Sequence, residues 1–116
     1  MSYYYETRIS NILFDRLLPE LTESELKVLL VIIRQTLGWI DKRTNKPKEW
    51  DWISISFFAK KTGLSKRAIG YAIHSLFLKQ LIRIKNEQGR LTPTAKMRRY
   101  SNKLFYKATL NKKGLS

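Results

Sequence analysis

The sequence predicts a mainly α-helical chain with a small β-hairpin, a winged helix-turn-helix, and three observations carry that prediction. From Ser56 to Leu76 the chain sets Ala59, Gly63, Ser65 and Ile69 at the offsets of a helix, a tight turn and a second helix. At Leu81 the apolar period changes from helical spacing to alternation, and a further strand-like run begins at Leu104. The surplus positive charge is confined to the half that contains both features. Residues 60–116 carry fifteen Lys and Arg against one acid, Glu87, whereas residues 1–59 carry eight bases and eight acids.

That imbalance does nothing for the fold, because like charges repel in the compact state. It implies a polyanionic partner, nucleic acid first and an acidic membrane second. A length of 116 residues implies a single domain, with residues 1–21 as an N-terminal extension and short helix and residues 87–103 as a basic wing. The chain has no cysteine, which excludes disulfides and thiolate metal sites and fits a reducing compartment. No apolar run reaches the roughly 20 residues that span a bilayer. The start, Met1 to Glu6, lacks the basic and apolar regions of a signal peptide. The expectation is a cytoplasmic protein with no membrane partner.

In chain order, Tyr3, Tyr4 and Tyr5 form an aromatic cluster that either packs on the core, the commoner outcome, or offers a stacking platform to nucleic acid. Ile9, Leu13, Phe14 and Leu17 recur at helical spacing, and Pro19 should stop a short helix. Thr22-Glu23-Ser24-Glu25 is a capping box, in which Thr22 and Glu25 each satisfy an orphan backbone donor. Leu26, Leu29, Leu30, Ile33 and Leu37 then make an apolar stripe, and Gly38 reads as a left-handed C-cap. Trp39 to Asp51 reads as a polar loop that Trp39, Trp50 and Trp52 clamp to the core, with a short strand over Trp50 to Ile55.

The helix-turn-helix follows. Ser56 caps a short helix, Ala59 lets a second helix cross closely, and Gly63 supplies the positive φ of the turn. Ser65 caps the second helix, whose buried face is Ile69, Ala72, Ile73 and Leu76. The opposite face presents Lys66, Arg67, Gly70, Tyr71 and His74, and in such a pair that face lies in the major groove. Arg67 is placed for bidentate contact with a guanine edge, and Lys66 for base or phosphate. Gly70 costs about 1 kcal/mol against Ala in a helix. It permits close approach either of DNA or of another helix. His74 is the only histidine, and with no cysteine or carboxylate cluster beside it no metal site follows. Two core helices joined by a turn, without any DNA role, are the alternative.

Leu81 to Lys85 alternates apolar and basic residues as a half-buried strand, and Leu104 to Leu110 returns. Between the strands Arg90, Lys96, Arg98, Arg99 and Lys103 stand with no acid among them, and Thr92-Pro93 opens a short helical turn. These bases, with Lys60 and Lys61, are the expected phosphate contacts.

Leu26-Lys27-Val28-Leu29-Leu30, Thr36-Leu37-Gly38-Trp39, Ile53-Ser54-Ile55-Ser56, Thr62-Gly63-Leu64-Ser65 and Leu81-Ile82 together resemble the N-terminal winged-helix domain of phage replication protein O and related phage or plasmid initiators. The resemblance covers roughly Asn11 to Leu110. It implies origin binding at repeated sites, with helicase recruitment belonging to a separate region. Two departures stand out: the loop from Ile40 to Asp51 is long, and Gln80 stands where a glycine commonly precedes Leu-Ile. Phe77 and Leu78 are apolar where polar residues are expected, and would receive the tyrosine segment or form a dimer contact.

The expected function is sequence-specific binding of double-stranded DNA in replication initiation, with no cofactor. A homodimer on repeated sites and contact with the replication machinery stay open as partners. A transcriptional regulator or excisionase-like factor is the alternative within DNA binding, and a protein- or RNA-interaction module the alternative outside it. No glycine-rich phosphate loop, nucleophile–base pair or carboxylate cluster suggests an enzyme.

Overall fold

Helix boundaries fall where side chains can satisfy the free backbone groups of a helix end. In a computed structural model, which describes residues 5–92, 95–99 and 103–110, helix α1 spans Glu23–Leu37 behind Thr22. The Thr22 hydroxyl accepts from the Glu25 N–H at 3.1 Å, and the Thr22 N–H donates to the Glu25 carboxylate at 2.8 Å. Helix α2 spans Ile55–Thr62 and α3 spans Lys66–Leu78. Ser65 caps α3 as expected, its Oγ accepting from the Ala68 N–H at 3.1 Å. The cap of α2 is Ser54, not Ser56. Ser54 is extended at φ −79°, ψ 157° and accepts from the Phe57 N–H at 3.1 Å, which leaves Ser56 inside the first turn. Gly63 closes α2 at φ +76° and turns the chain into α3.

The buried face of α1 is Val28, Leu29, Ile32, Ile33 and Thr36, rotated from the expected stripe so that Leu26 and Leu30 are only partly covered and Leu37 is exposed. The reason is that α1 is flanked by α3, α2 and the sheet rather than resting on one neighbour. The Thr36 hydroxyl is satisfied by the Ile32 carbonyl at 2.8 Å. Gly38 is right-handed, at φ −80°, so it is not a left-handed cap. Its missing side chain serves close approach instead: a Cβ there would stand 2.5 Å from the Arg34 carbonyl and 2.8 Å from the Thr7 hydroxyl.

Ahead of α1, the chain winds as a π-helical turn over Leu13–Leu17 and tightens to a 3₁₀ turn at Leu18–Glu20, which holds Pro19. Leu13 and Leu17 are buried in the core, while Phe14 faces out, so one side of the expected stripe is used. Tyr5 is 98% exposed and edges a hollow with Leu37 and Pro47, so it is not buried in the core. Tyr3 and Tyr4 lie outside the described residues. Phe77 packs against the core, and Leu78 is exposed beside Leu91.

The segment read as a polar loop contains a small antiparallel hairpin, β1 (Ile40–Asp41) with β2 (Lys46–Pro47). Its turn is made by the Asp41 carboxylate accepting from the Arg43 N–H at 2.9 Å and by Asn45 at φ +57°. Strand β3 (Asp51–Trp52) then joins β4 (Ile82–Asn86) and β5 (Leu104–Ala108) in an antiparallel sheet ordered β3-β5-β4. Ile82, Ile84 and Tyr106 point into the core, where Tyr106 meets Phe58 edge to face at 5.3 Å between centroids. By alternation Arg83, Lys85, Phe105 and Lys107 take the other face. A five-residue helix, α4 (Ala95–Arg99), sits in the connection between β4 and β5. Helices α1, α2 and α3, a small sheet and a basic connection that holds α4 make a mainly α, winged-helix-like fold. Among the described residues no helix is long and apolar enough to cross a membrane.

Candidate nucleic-acid interface

Burial of Ile69, Ala72, Ile73 and Leu76 fixes the rotation of α3 about its axis. The opposite face therefore reaches solvent with Lys66, Arg67, Gly70, Tyr71 and His74, all exposed, and with Ser65 at its start. Arg67 is held by its own helix: its Nε and Nη2 both donate to the Tyr71 hydroxyl at 3.2 Å, and the guanidinium lies 5.5 Å from the Tyr71 ring centroid. This i, i+4 pairing points one planar cation along the helix surface before any ligand arrives. At Gly70 a Cβ would have no heavy atom within 4 Å, so the glycine faces open space and helix packing does not require it.

What aims α3 is a buried carboxylate that the capping pattern alone does not reveal. Glu25 is 3% exposed and accepts from Ser75 of α3 through Oε2 and from the Lys79 ammonium at 3.0 Å through Oε1. Burial raises its pKa, but the bonds from Ser75, the Thr22 N–H and Lys79 outweigh that and set it at about 2. One charged group thus caps α1 and ties it to the last turns of α3. Ser75, between the exposed and buried faces of α3, carries the bond that makes this tie.

The wing bases divide. Arg90, Lys96, Arg99 and Lys103 are exposed. Arg98, expected on phosphate, is instead only 8% exposed: it donates to the Thr92 carbonyl at 3.1 Å and to His74 Nδ1 at 2.9 Å, and lies 5.1 Å from the Phe77 ring centroid. Burial lowers its pKa from the ordinary arginine value, with Tyr106 opposing. A guanidinium can only donate, so His74 accepts at Nδ1 and its neutral ring carries the proton on Nε2. Arg98 is therefore the pin between α4 and α3, which brings Arg99 to the side of the exposed helix. A groove of about 530 Å³ runs beside them, lined among others by Trp52, Ser54, Gly70, His74 and Arg99.

Lys60 and Lys61 are exposed in the last turn of α2. Lys61 stands over the Phe57 ring at 5.5 Å and lines a different groove, with Lys27, Val31 and Trp39. The α3 face and α4 are thus brought together, and Lys61 is not part of their groove.

No curated protein and no solved structure matches the chain. The family model of bacteriophage replication protein O matches residues 5–100, most of the chain, and the protein therefore belongs to that family, with a phage replication-related DNA-binding role.

Proposed function

We propose that the protein binds double-stranded DNA sequence-specifically, with α3 in the major groove, and that its target is a set of sites in a phage replication origin. The observation that carries this is the α3 face itself. A basic surface runs from Ser65 to His74, with Gly70 bare and open at its centre and Arg67 held ready by Tyr71. Arg67 reads a guanine edge and Lys66 supports it or takes phosphate. Arg90, Lys96, Arg99 and Lys103 hold the backbone, with Lys60 and Lys61 on the flank. The protein acts by binding and not as an enzyme, and it needs no cofactor.

Selection of bound duplexes from a random pool tests the proposal. The expected outcome is one consensus, repeated in the origin of the phage that encodes the chain. A consensus confined to promoters would make the protein a regulator, and no enrichment would remove sequence-specific binding. Within the selected site, Arg67→Ala should erase the preference over random duplex, a loss of about 1–3 kcal/mol. Arg99→Ala should weaken specific and random duplex alike. Equal behaviour of the two variants would take the reading role from Arg67.

A further inference from the structure

The β-sheet register sorts side chains onto two faces, and the outer one combines rings with cations. Trp52 pairs with Phe105, and Phe105 pairs with Lys85, so these three form one row across the sheet. Lys107 pairs with Arg83 in the next row, and Trp50 directly precedes β3 on the same side. The contacts agree with this arrangement. Lys85 and Lys107 lie 4.2 and 5.9 Å from the Trp50 ring centroid, and Lys103 lies 4.7 Å from that of Trp52. Trp52 is 47% exposed. A hollow of about 660 Å³ adjoins the face, where Trp50 and Lys85 meet Arg43 and Lys46 of the β1–β2 hairpin. The acids beside it are engaged: Asp41 pairs with Arg43 at 3.8 Å, Glu49 with Lys107 at 3.5 Å, and Glu87 accepts from the Lys103 N–H at 2.7 Å.

We propose that this outer face of the sheet, formed by Trp50, Trp52 and Phe105 with Arg83, Lys85 and Lys107, binds single-stranded DNA at a site centred on β4 and β5, with Trp52 at its border with the α3 groove. The chemistry selects the strand state. A duplex offers base edges in its grooves and hides the base faces, whereas an unpaired strand offers the faces that rings stack on. Rings interleaved with bases on an exposed sheet suit a short run of about three nucleotides. The lysines over the tryptophans do not block the site, because an exposed cation–π contact is weaker than base stacking on the same ring. An entering base displaces the ammonium toward the adjoining phosphate, where it neutralises charge. The site needs neither Arg67 nor Gly70, so it stands or falls separately from the duplex reading.

The test titrates the full chain at low salt with a labelled oligothymidylate of about a dozen residues and, in parallel, with a duplex. Oligothymidylate should bind and quench tryptophan fluorescence. Trp52→Leu and Phe105→Leu should each weaken that binding about tenfold, within the range stacking on one ring provides. Trp52→Phe should restore most of it, and in Phe105→Leu, away from the α3 groove, duplex affinity should stay within about twofold. Arg67→Ala should do the reverse. Absence of oligothymidylate binding by the wild-type chain would overturn the proposal, as would binding indifferent to both ring substitutions. A parallel loss of duplex and single-strand binding in folded Phe105→Leu would assign the face to the duplex site instead. Tighter binding of oligouridylate than oligothymidylate would overturn the assignment to DNA. Lys85→Ala guards against misfolding in the ring variants, and should weaken oligothymidylate binding while making its loss with salt shallower.

Discussion

At Gly70 the backbone of α3 lies open, with no heavy atom within 4 Å of where a Cβ would be. Propensity alone would place alanine there, since glycine costs about 1 kcal/mol in a helix interior. Gly70→Ala should therefore raise the melting temperature by about 4 °C or more, and it should weaken duplex binding about tenfold if the groove wall comes close at this point. A stabilised variant with undiminished affinity would deny Gly70 a role in DNA approach. Gln80 presents the opposite case. It sits at φ +61° directly after α3, where the chain must turn into β4, and donates its N–H to the Phe77 carbonyl at 3.0 Å. An L-residue there is strained, and part of that strain is offset because glycine loses more freedom on folding. Gln80→Gly should stabilise the protein by about 0.5–1 kcal/mol in urea unfolding without altering DNA binding. A loss of stability would mean that the Gln80 side chain makes a contribution larger than the strain.

Between elements, the decisive contact is Glu25 with Ser75 and Lys79, because it sets α3 against α1. Its folded pKa of about 2 lies below the ordinary 4.5, so the stabilisation is complete above that ordinary value and is lost as pH falls toward 2. The shift corresponds to about 3 kcal/mol. Unfolding measured from pH 6 to pH 2 should show that loss in the wild type and a flatter profile in Glu25→Gln, which begins lower. Parallel profiles would show that Glu25 is not the titrating group. The same contact explains how far the sequence could be read. Capping chemistry is local, and so Thr22, Ser65 and Gly63 were legible from neighbours a few residues away. Partners distant in sequence were not: Glu25 meets Ser75 across fifty positions and Arg98 meets His74 across twenty-four. Arg98 therefore looked like one more wing base, although its guanidinium is spent on holding α4 to α3. The rotation of the α1 stripe and the outer row of Trp52, Phe105 and Lys85 were hidden for the same reason, since both depend on which elements become neighbours.

For the molecule as a whole, the charge division seen in the sequence becomes a spatial one only in part. The first half supplies α1, the β1–β2 hairpin, β3 and the start of α2, and its charges balance. The second half supplies α3, α4 and the paired strands β4 and β5, and nine of its described bases fall on two surfaces. Lys66, Arg67, Arg90, Lys96, Arg99 and Lys103 belong to the α3 and wing side, whereas Arg83, Lys85 and Lys107 follow the outer face of the sheet. Burial withdraws Arg98 from both. If the six bases of the first group each neutralise a phosphate, the logarithm of duplex affinity should fall with the logarithm of salt at a slope of about −5. Arg98→Ala tests the division within that slope. Removing an engaged base lowers its magnitude by about one, so Arg99→Ala should give about −4. Arg98→Ala should leave the slope of the folded protein near −5 while lowering its stability, because that charge holds the wing and does not meet the DNA. Equal changes in slope from the two variants would return Arg98 to the phosphate contacts, and a wild-type slope near zero would remove the electrostatic account of the basic half altogether.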